Sequence, residues 1–268
     1  MKFILLNLFF TTQIFAQDLS HGKTTSEIEQ LRKKATLKLT ISTNDKMNVF
    51  SGFFYGSEGY FITVHHTFRN LKFFENKNSK INIIDNDGNT FKNIIINACT
   101  NENNVDLCLG QIKDYKPKNY LTYNGVATVK GIDFNSFGNC NADFSAKRGK
   151  IVTVTDLYQS SYVGAWQDIY NKNTRLLELN LPACVGDSGG ALFDSFTGNL
   201  AGMYSFQLNG KYFAIDASVI DKYFKQHSKS TKHLIDEKMY LQLNNEQLDD
   251  DPCANKNLTQ KEKEFCSQ

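Results

Sequence analysis

Gly186-Asp187-Ser188-Gly189-Gly190 decides how this chain is read. A serine set between an acid and two glycines stands on a backbone free to turn tightly, so successive N–H groups can converge on one point and hold a developing oxyanion. Glycine-rich turns with a serine are also ordinary loops. The reading therefore depends on the remaining machinery of an activated hydroxyl: an imidazole within hydrogen-bond reach, fixed in one tautomer by a buried carboxylate.

Five histidines are present. His21 lies close to the N-terminus, and His227 and His233 fall in a polar C-terminal stretch, whereas His65 and His66 directly follow the apolar run Gly59-Tyr60-Phe61-Ile62-Thr63-Val64. For the acid, Val105-Asp106-Leu107-Cys108-Leu109 sets one carboxylate at the head of an apolar strand. Burying it without partners costs several kcal/mol, roughly, so Asp106 is expected to have a hydrogen-bonding role. The alternative is a loop aspartate that ends the polar run 100–104. The three elements come in the order His, Asp, Ser, 40 residues apart (66 to 106) and then 82 (106 to 188).

In order and spacing the chain resembles a chymotrypsin-fold serine protease of the trypsin-like class, nearest the bacterial high-temperature-requirement type. Ser51-Gly52-Phe53 and Gly59-Tyr60-Phe61-Ile62-Thr63-Val64-His65-His66 match that type's Gly-Ser-Gly and Gly-Tyr-x-x-Thr-x-x-His patterns, and Asp106-Leu107-Cys108-Leu109 matches its acid strand. Phe137-Gly138-Asn139, Gly149-Lys150-Ile151-Val152, Gly202-Met203-Tyr204-Ser205-Phe206 and Tyr212-Phe213-Ala214-Ile215 resemble segments of the second barrel. The likeness covers residues 26–225. It selects His66, three residues after Thr63, over His65.

The resemblance implies a triad of His66, Asp106 and Ser188, an oxyanion hole from the N–H groups of Gly186 and Ser188, and a Ser205 hydroxyl near Asp106. It implies protein or peptide substrates and no cofactor. Counting back from Ser188 puts Pro182 at the base of the primary pocket, where an acid would be needed to favour Arg or Lys. Phe206 and Phe213 on the pocket walls imply a small or medium apolar side chain. Asp187 departs from the high-temperature-requirement pattern, which usually has Asn, and matches the digestive enzymes, where this acid pairs with an amine freed by zymogen cleavage. No Arg-Ile-Val-Gly-Gly site precedes the first strand, so Asp187 needs another partner, or an amine released by trimming near Arg32-Lys33-Lys34.

At the N-terminus, Lys2 followed by the apolar residues 3–10 and a small residue at Ala16 read as a secretory signal peptide of residues 1–16, too short to span a membrane. The alternative is a buried N-terminal strand. The expected domain is 17–227, leaving 228–268 as a polar extension too short for a peptide-binding domain. Such an export signal implies a secreted or periplasmic protein. A net charge of +2 with dispersed Lys and Arg argues against nucleic-acid or anionic-membrane partners.

Six cysteines in an exported chain favour disulfides. Cys99 and Cys108 flank the polar loop as candidate cross-strand neighbours, the alternative for Cys108 being a buried free thiol. Cys140 and Cys184 are paired by the implied fold, and Cys253 and Cys266 would close a C-terminal loop. No His/Cys cluster has zinc spacing, so no metal is expected.

Aromatic residues at 13% and many short alternating segments with Gly and Asn turns argue for an all-β barrel or sandwich. The resemblance specifies two six-stranded antiparallel β-barrels with short N- and C-terminal helices. Ser26-Glu27-Ile28-Glu29 has the form of a capping box opening the first helix, and 218–227 reads as the closing one. Strands are expected at 35–42, 50–55, 60–64, 81–84, 92–98, 107–112, 127–131, 149–155, 174–179, 191–193, 201–206 and 212–216.

Two other classes remain open: a non-catalytic relative using the barrels as a binding module, and an esterase. The esterase elbow sets Gly-x-Ser-x-Gly between a strand and a helix of an α/β sheet, whereas Ser188 precedes strands.

Overall fold

The computed structural model describes residues 25–43, 46–70, 72–74, 78–99, 105–141, 143–156, 174–181 and 183–228. The expected leader 1–16, Pro182, Cys253, Cys266 and the extension beyond Ser228 lie outside these residues.

A helix, α1 (Thr25–Ala35), runs directly into β1 (Thr36–Ser42). Leu37, Leu39 and Ile41 alternate into the core while Lys38 and Thr40 are half-buried, the two-residue period of a strand with one face covered. Then come β2 (Met47–Phe54), β3 (Tyr60–Thr63), the short α2 (His66–Asn70), β4 (Lys80–Asp85), β5 (Thr90–Phe91), β6 (Ile94–Cys99) and β7 (Cys108–Ile112). They form one antiparallel sheet in the order β5-β4-β1-β2-β3-β7-β6. The second half holds β8 (Asp133–Cys140), β9 (Asp143–Asp156), β10 (Arg175–Leu179), β11 (Ala191–Asp194), β12 (Leu200–Leu208) and β13 (Lys211–Asp216), closed as β10-β13-β12-β11-β8-β9. The helix α3 (Ala217–His227) follows.

The fold is all-β in two halves, as expected, and the second is a six-stranded barrel. The first half differs in detail: among the described residues it is a curled seven-stranded sheet, not a closed six-stranded barrel. The extra strand arises where the Asp85 carboxylate accepts from the backbone of Asp87 and Asn89, folding the chain back at Gly88 to make the two-residue β5. No strand forms at 127–131. There Val126 and Val129 face solvent, while the Thr128 hydroxyl donates to the Ala201 carbonyl and its own carbonyl accepts from Arg175.

Three packing features join the halves. Phe50, Phe53, Phe54 and Tyr55 are all at least 98% buried, so this end of β2 is covered on both faces, by its own sheet and by the elements packed across it. Each such side chain stabilises the fold by about 1.5–3 kcal/mol relative to exposure. The second feature is α3, which follows the second barrel but docks on the first. The Tyr55 hydroxyl donates to Asp221 (2.9 Å), Tyr60 to the Ser228 carbonyl (2.8 Å) and Tyr223 to the Leu107 carbonyl (3.2 Å). At the other end of the chain, Arg32 and Lys33 of α1 lie over the rings of Phe193 and Phe144 in the second half.

Asp216 starts α3: its carboxylate accepts from the Ser218 backbone (2.8 Å) and hydroxyl (2.5 Å) and pairs with Arg175 (3.2 Å), with Asp216 itself fully buried. Replacing it removes the cap and leaves Arg175 without its carboxylate. Asp216→Ala is expected to lower unfolding stability by about 2–4 kcal/mol in urea titrations, and Ser218→Ala by about 1 kcal/mol or less.

Candidate active site

The expected catalytic residues come from both halves. His66 is the first residue of α2, just past the end of β3; Asp106 precedes β7, the neighbour of β3; Ser188 lies on the turn into β11. Thr63 fixes the first of these placements. Its hydroxyl donates to the Ser51 carbonyl (2.7 Å), tying the end of β3 to β2 three residues before His66.

Asp106 is 97% buried, and its carboxylate is fully engaged. Oδ2 accepts from His66 Nδ1 (2.7 Å) and from the Ser205 hydroxyl (2.5 Å), and Oδ1 accepts from the His66 backbone N–H (2.7 Å). Burial alone would raise its pKa, but the adjacent imidazole and the hydrogen bonds from His66 and Ser205 outweigh it and hold the carboxyl below its usual range. An ionised Asp106 on Nδ1 selects the tautomer that leaves Nε2 as the base. The Cys99–Cys108 disulfide crosses β6 and β7 two residues away, with both cysteines buried, so Cys108 is not a free thiol.

The turn carrying Ser188 is held in shape by glycine and by partners in both halves. Gly186 (φ 102°) and Gly189 (φ 87°) occupy the left-handed region, and an added Cβ would come within 1.9 Å of the Asn139 and Ser51 carbonyl oxygens respectively. The Val185 carbonyl accepts from Asn141 N–H (2.8 Å) and the Asp187 carbonyl from Gly190 N–H (2.8 Å). In a trans peptide the N–H points opposite to the C=O, so the Gly186 and Ser188 N–H groups are turned away from these acceptors. Neither donates a hydrogen bond among the described residues.

Ser51 was part of a matched motif, but nothing in the sequence gave it a role. Its N–H donates to the Ser188 carbonyl (2.8 Å), and its hydroxyl donates to the Gly186 carbonyl (2.7 Å) while accepting from Asn139 N–H (2.8 Å) and Nδ2 (3.1 Å). Lys147 of β9 gave no sequence signal at all. Its ammonium pairs with the Asp187 carboxylate, which also accepts from Cys184 N–H (2.8 Å), and Cys184 is bonded to Cys140. Asp187 thus has an internal partner.

The Ser188 hydroxyl donates to the Ser205 carbonyl (3.3 Å), and among the described residues no hydrogen bond joins it to His66. Phe206 and Phe213, paired across β12 and β13, stack at 4.9 Å, with Phe213 buried and Phe206 half-buried. His65 makes none of these hydrogen bonds: it is buried, its Nε2 has no partner among the described residues, and burial, opposed by the nearby Asp106 carboxylate and reinforced by Arg69 and His66, pushes its pKa down to about 4. Among the described residues no helix is long and apolar enough to cross a membrane, and no cluster of potential metal ligands is found.

A closed six-stranded barrel beside a curled sheet, with these side chains at the junction, defines a chymotrypsin-like fold. Residues 50–203, more than half of the sequence, match the trypsin-like peptidase domain family, and the chain belongs to that family. No curated protein matches the sequence significantly. Among solved structures, the HtrA-type protease AlgW with a tripeptide is similar at 19% identity and a TM-score of 0.59, covering 76% of this chain and 63% of that one. A serine endoprotease from Yersinia pestis gives 17% identity and 0.58, covering 78% and 68%. The inactive serine-to-alanine form of Rv3671c from M. tuberculosis gives 16% and 0.58, covering 77% and 92%. The chain thus spans a little under two thirds of AlgW, and these likenesses are of fold.

A buried neutral His65 has a consequence for acid stability. Its pKa falls from 6.5 to about 4 on folding, so between those values the unfolded chain binds more protons, and stability declines as pH drops from 6.5 toward 4. The contribution is roughly 3 kcal/mol across that window. Asp106, with its pKa also lowered, adds a separate loss below the ordinary carboxylate range. His65→Gln is expected to flatten the pH dependence of the urea midpoint between pH 6.5 and 4 while leaving the steep loss at lower pH.

Proposed function

We propose that this chain is an exported serine endopeptidase that cleaves protein or peptide substrates through an acyl-enzyme. Ser188 Oγ leaves the Ser205 carbonyl, donates to His66 Nε2 and attacks the scissile carbonyl as His66 takes the proton. Asp106 orients the ring and stabilises the imidazolium. The oxyanion sits between the N–H groups of Gly186 and Ser188. His66 then protonates the leaving amine, and water, deprotonated by the same imidazole, releases the acyl group. Rotation about χ1 takes the Ser188 hydroxyl off the Ser205 carbonyl, and catalytic hydrogen bonds commonly tighten on substrate binding.

The observation that carries this reading is the turn itself: the amides of Gly186 and Ser188 have no acceptor among the described residues, while the His66–Asp106 pair is fully hydrogen-bonded on the carboxylate side. Family membership supports a peptide-cleaving site, and the two disulfides fit an oxidising compartment outside the cytosol. For specificity, the stacked Phe206 and Phe213 support an apolar primary pocket that accepts small or medium side chains. The Ser188–Ser205 contact favours a second reading, a latent relative that binds without cutting.

Turnover of denatured casein, with a peptide ester measured in parallel, separates these readings. The wild-type chain is expected to cleave casein, and Ser188→Ala and His66→Ala to abolish cleavage. Asp106→Asn is expected to lower kcat about ten-thousand-fold with little change in KM. A folded wild-type protein that binds casein and leaves it intact would favour the latent relative, and ester turnover without peptide turnover would favour an esterase.

A further inference from the structure

Lys147 lies on β9 opposite Ser136 of β8, inside the closed barrel wall, so its position is set by the frame and not by a loop. Its ammonium meets a carboxylate that is almost wholly buried: the Asp187 side chain is 9% exposed and that of Lys147 20%. Asp187 is packed closely on the other side as well, since a Cβ on Gly138 would come within 3.1 Å of its Oδ1. Lys147 Nζ also lies 3.0 Å from Cys184 Sγ, at the point where the Cys140–Cys184 bridge enters the turn.

Asp187 adjoins Ser188, and its Oδ2 accepts from the N–H of Cys184, so the carboxylate closes the loop 184–187 on itself. That loop fixes the orientation of the Gly186 and Ser188 amides. A buried carboxylate without a cation is strongly unfavourable. It would escape by swinging the loop toward water, and both amides would move with it.

We propose that Lys147 is a positioning residue for catalysis: its ammonium holds Asp187 buried and so keeps both oxyanion-binding amides aimed at the reacting carbonyl, with no chain cleavage needed to supply a cation. The proposal rests on the peptidase reading. It makes the productive loop a property of the uncut domain. It also accounts for an Asp at position 187 without an activation site upstream, because the neutralising charge comes from inside the barrel.

The test compares kcat and KM on one chromogenic peptide for the full chain and its variants, each verified as folded with intact disulfides. Lys147→Met is expected to lower kcat about 100-fold, the scale of losing an oxyanion donor, with KM within about threefold. Lys147→Arg, which keeps the cation, is expected to retain kcat within about tenfold of wild type. Lys147→Met combined with Asp187→Asn removes both charges and is expected to regain at least about tenfold over Lys147→Met alone, a recovery that loss of packing would not produce. Ethylammonium is expected to restore part of kcat in Lys147→Ala. Wild-type kcat in Lys147→Met, an effect confined to KM, or a double variant no better than the single would overturn the proposal. If Lys147→Met does not fold, the double variant decides alone: activity within about tenfold of wild type supports the proposal and inactivity overturns it. A wild-type chain without turnover would instead overturn the peptidase reading, and this proposal with it.

Discussion

The Ser51 hydroxyl, set where the curled sheet meets the barrel, is the contact on which the rest of the site depends. One oxygen accepts from Asn139 and donates to the Gly186 carbonyl, while the same residue's N–H holds the Ser188 carbonyl. The Ser188 turn belongs by sequence to the second half, yet the first half helps set its shape. Ser51 is wholly buried, so these hydrogen bonds act away from water, where losing one leaves a partner unsatisfied. Glycine at 186 and 189 follows from the same closeness, because the turn passes so near the Asn139 and Ser51 carbonyls that no side chain fits.

Around this seam, each structural device near the site serves position. The Cys99–Cys108 bridge ties β6 to β7 at the base of the Asp106 segment, and Tyr223 of α3 holds the Leu107 carbonyl one residue further on. Thr63 fixes the strand leading to His66. Cys140–Cys184 and Lys147 hold the far side of the Ser188 turn. His66 is more open than Asp106, its side chain 27% exposed against 2%, which suits the proton exchange proposed for it.

Much of this could be read from the sequence where the signal is local. Alternation gave β1, the apolar run before His65 gave β3, and the glycines around Ser188 marked a tight turn. The second disulfide, Cys140–Cys184, needed the implied fold, because its partners are 44 residues apart. What stayed hidden is non-local or depends on exact register. Lys147 is one of many lysines until β9 pairs with β8 and brings it to Asp187. Ser51 sits in a recognisable motif, but its hydroxyl acts on residues 88 and 135 positions away. The expected strand at 127–131 failed because β-branched residues alone do not make a strand when their backbone finds partners in Arg175 and solvent. The seventh strand of the first sheet came from an aspartate turn too short for a periodicity argument.

In the proposed mechanism the two halves together make Ser188 a nucleophile. Its most direct measurement is site mapping: the folded, disulfide-bonded chain is treated with a fluorophosphonate, digested and sequenced by mass spectrometry. One stoichiometric adduct on Ser188 is expected, lost when the protein is unfolded before labelling. No adduct on Ser188 in the folded protein, or an adduct that forms equally after unfolding, would contradict it.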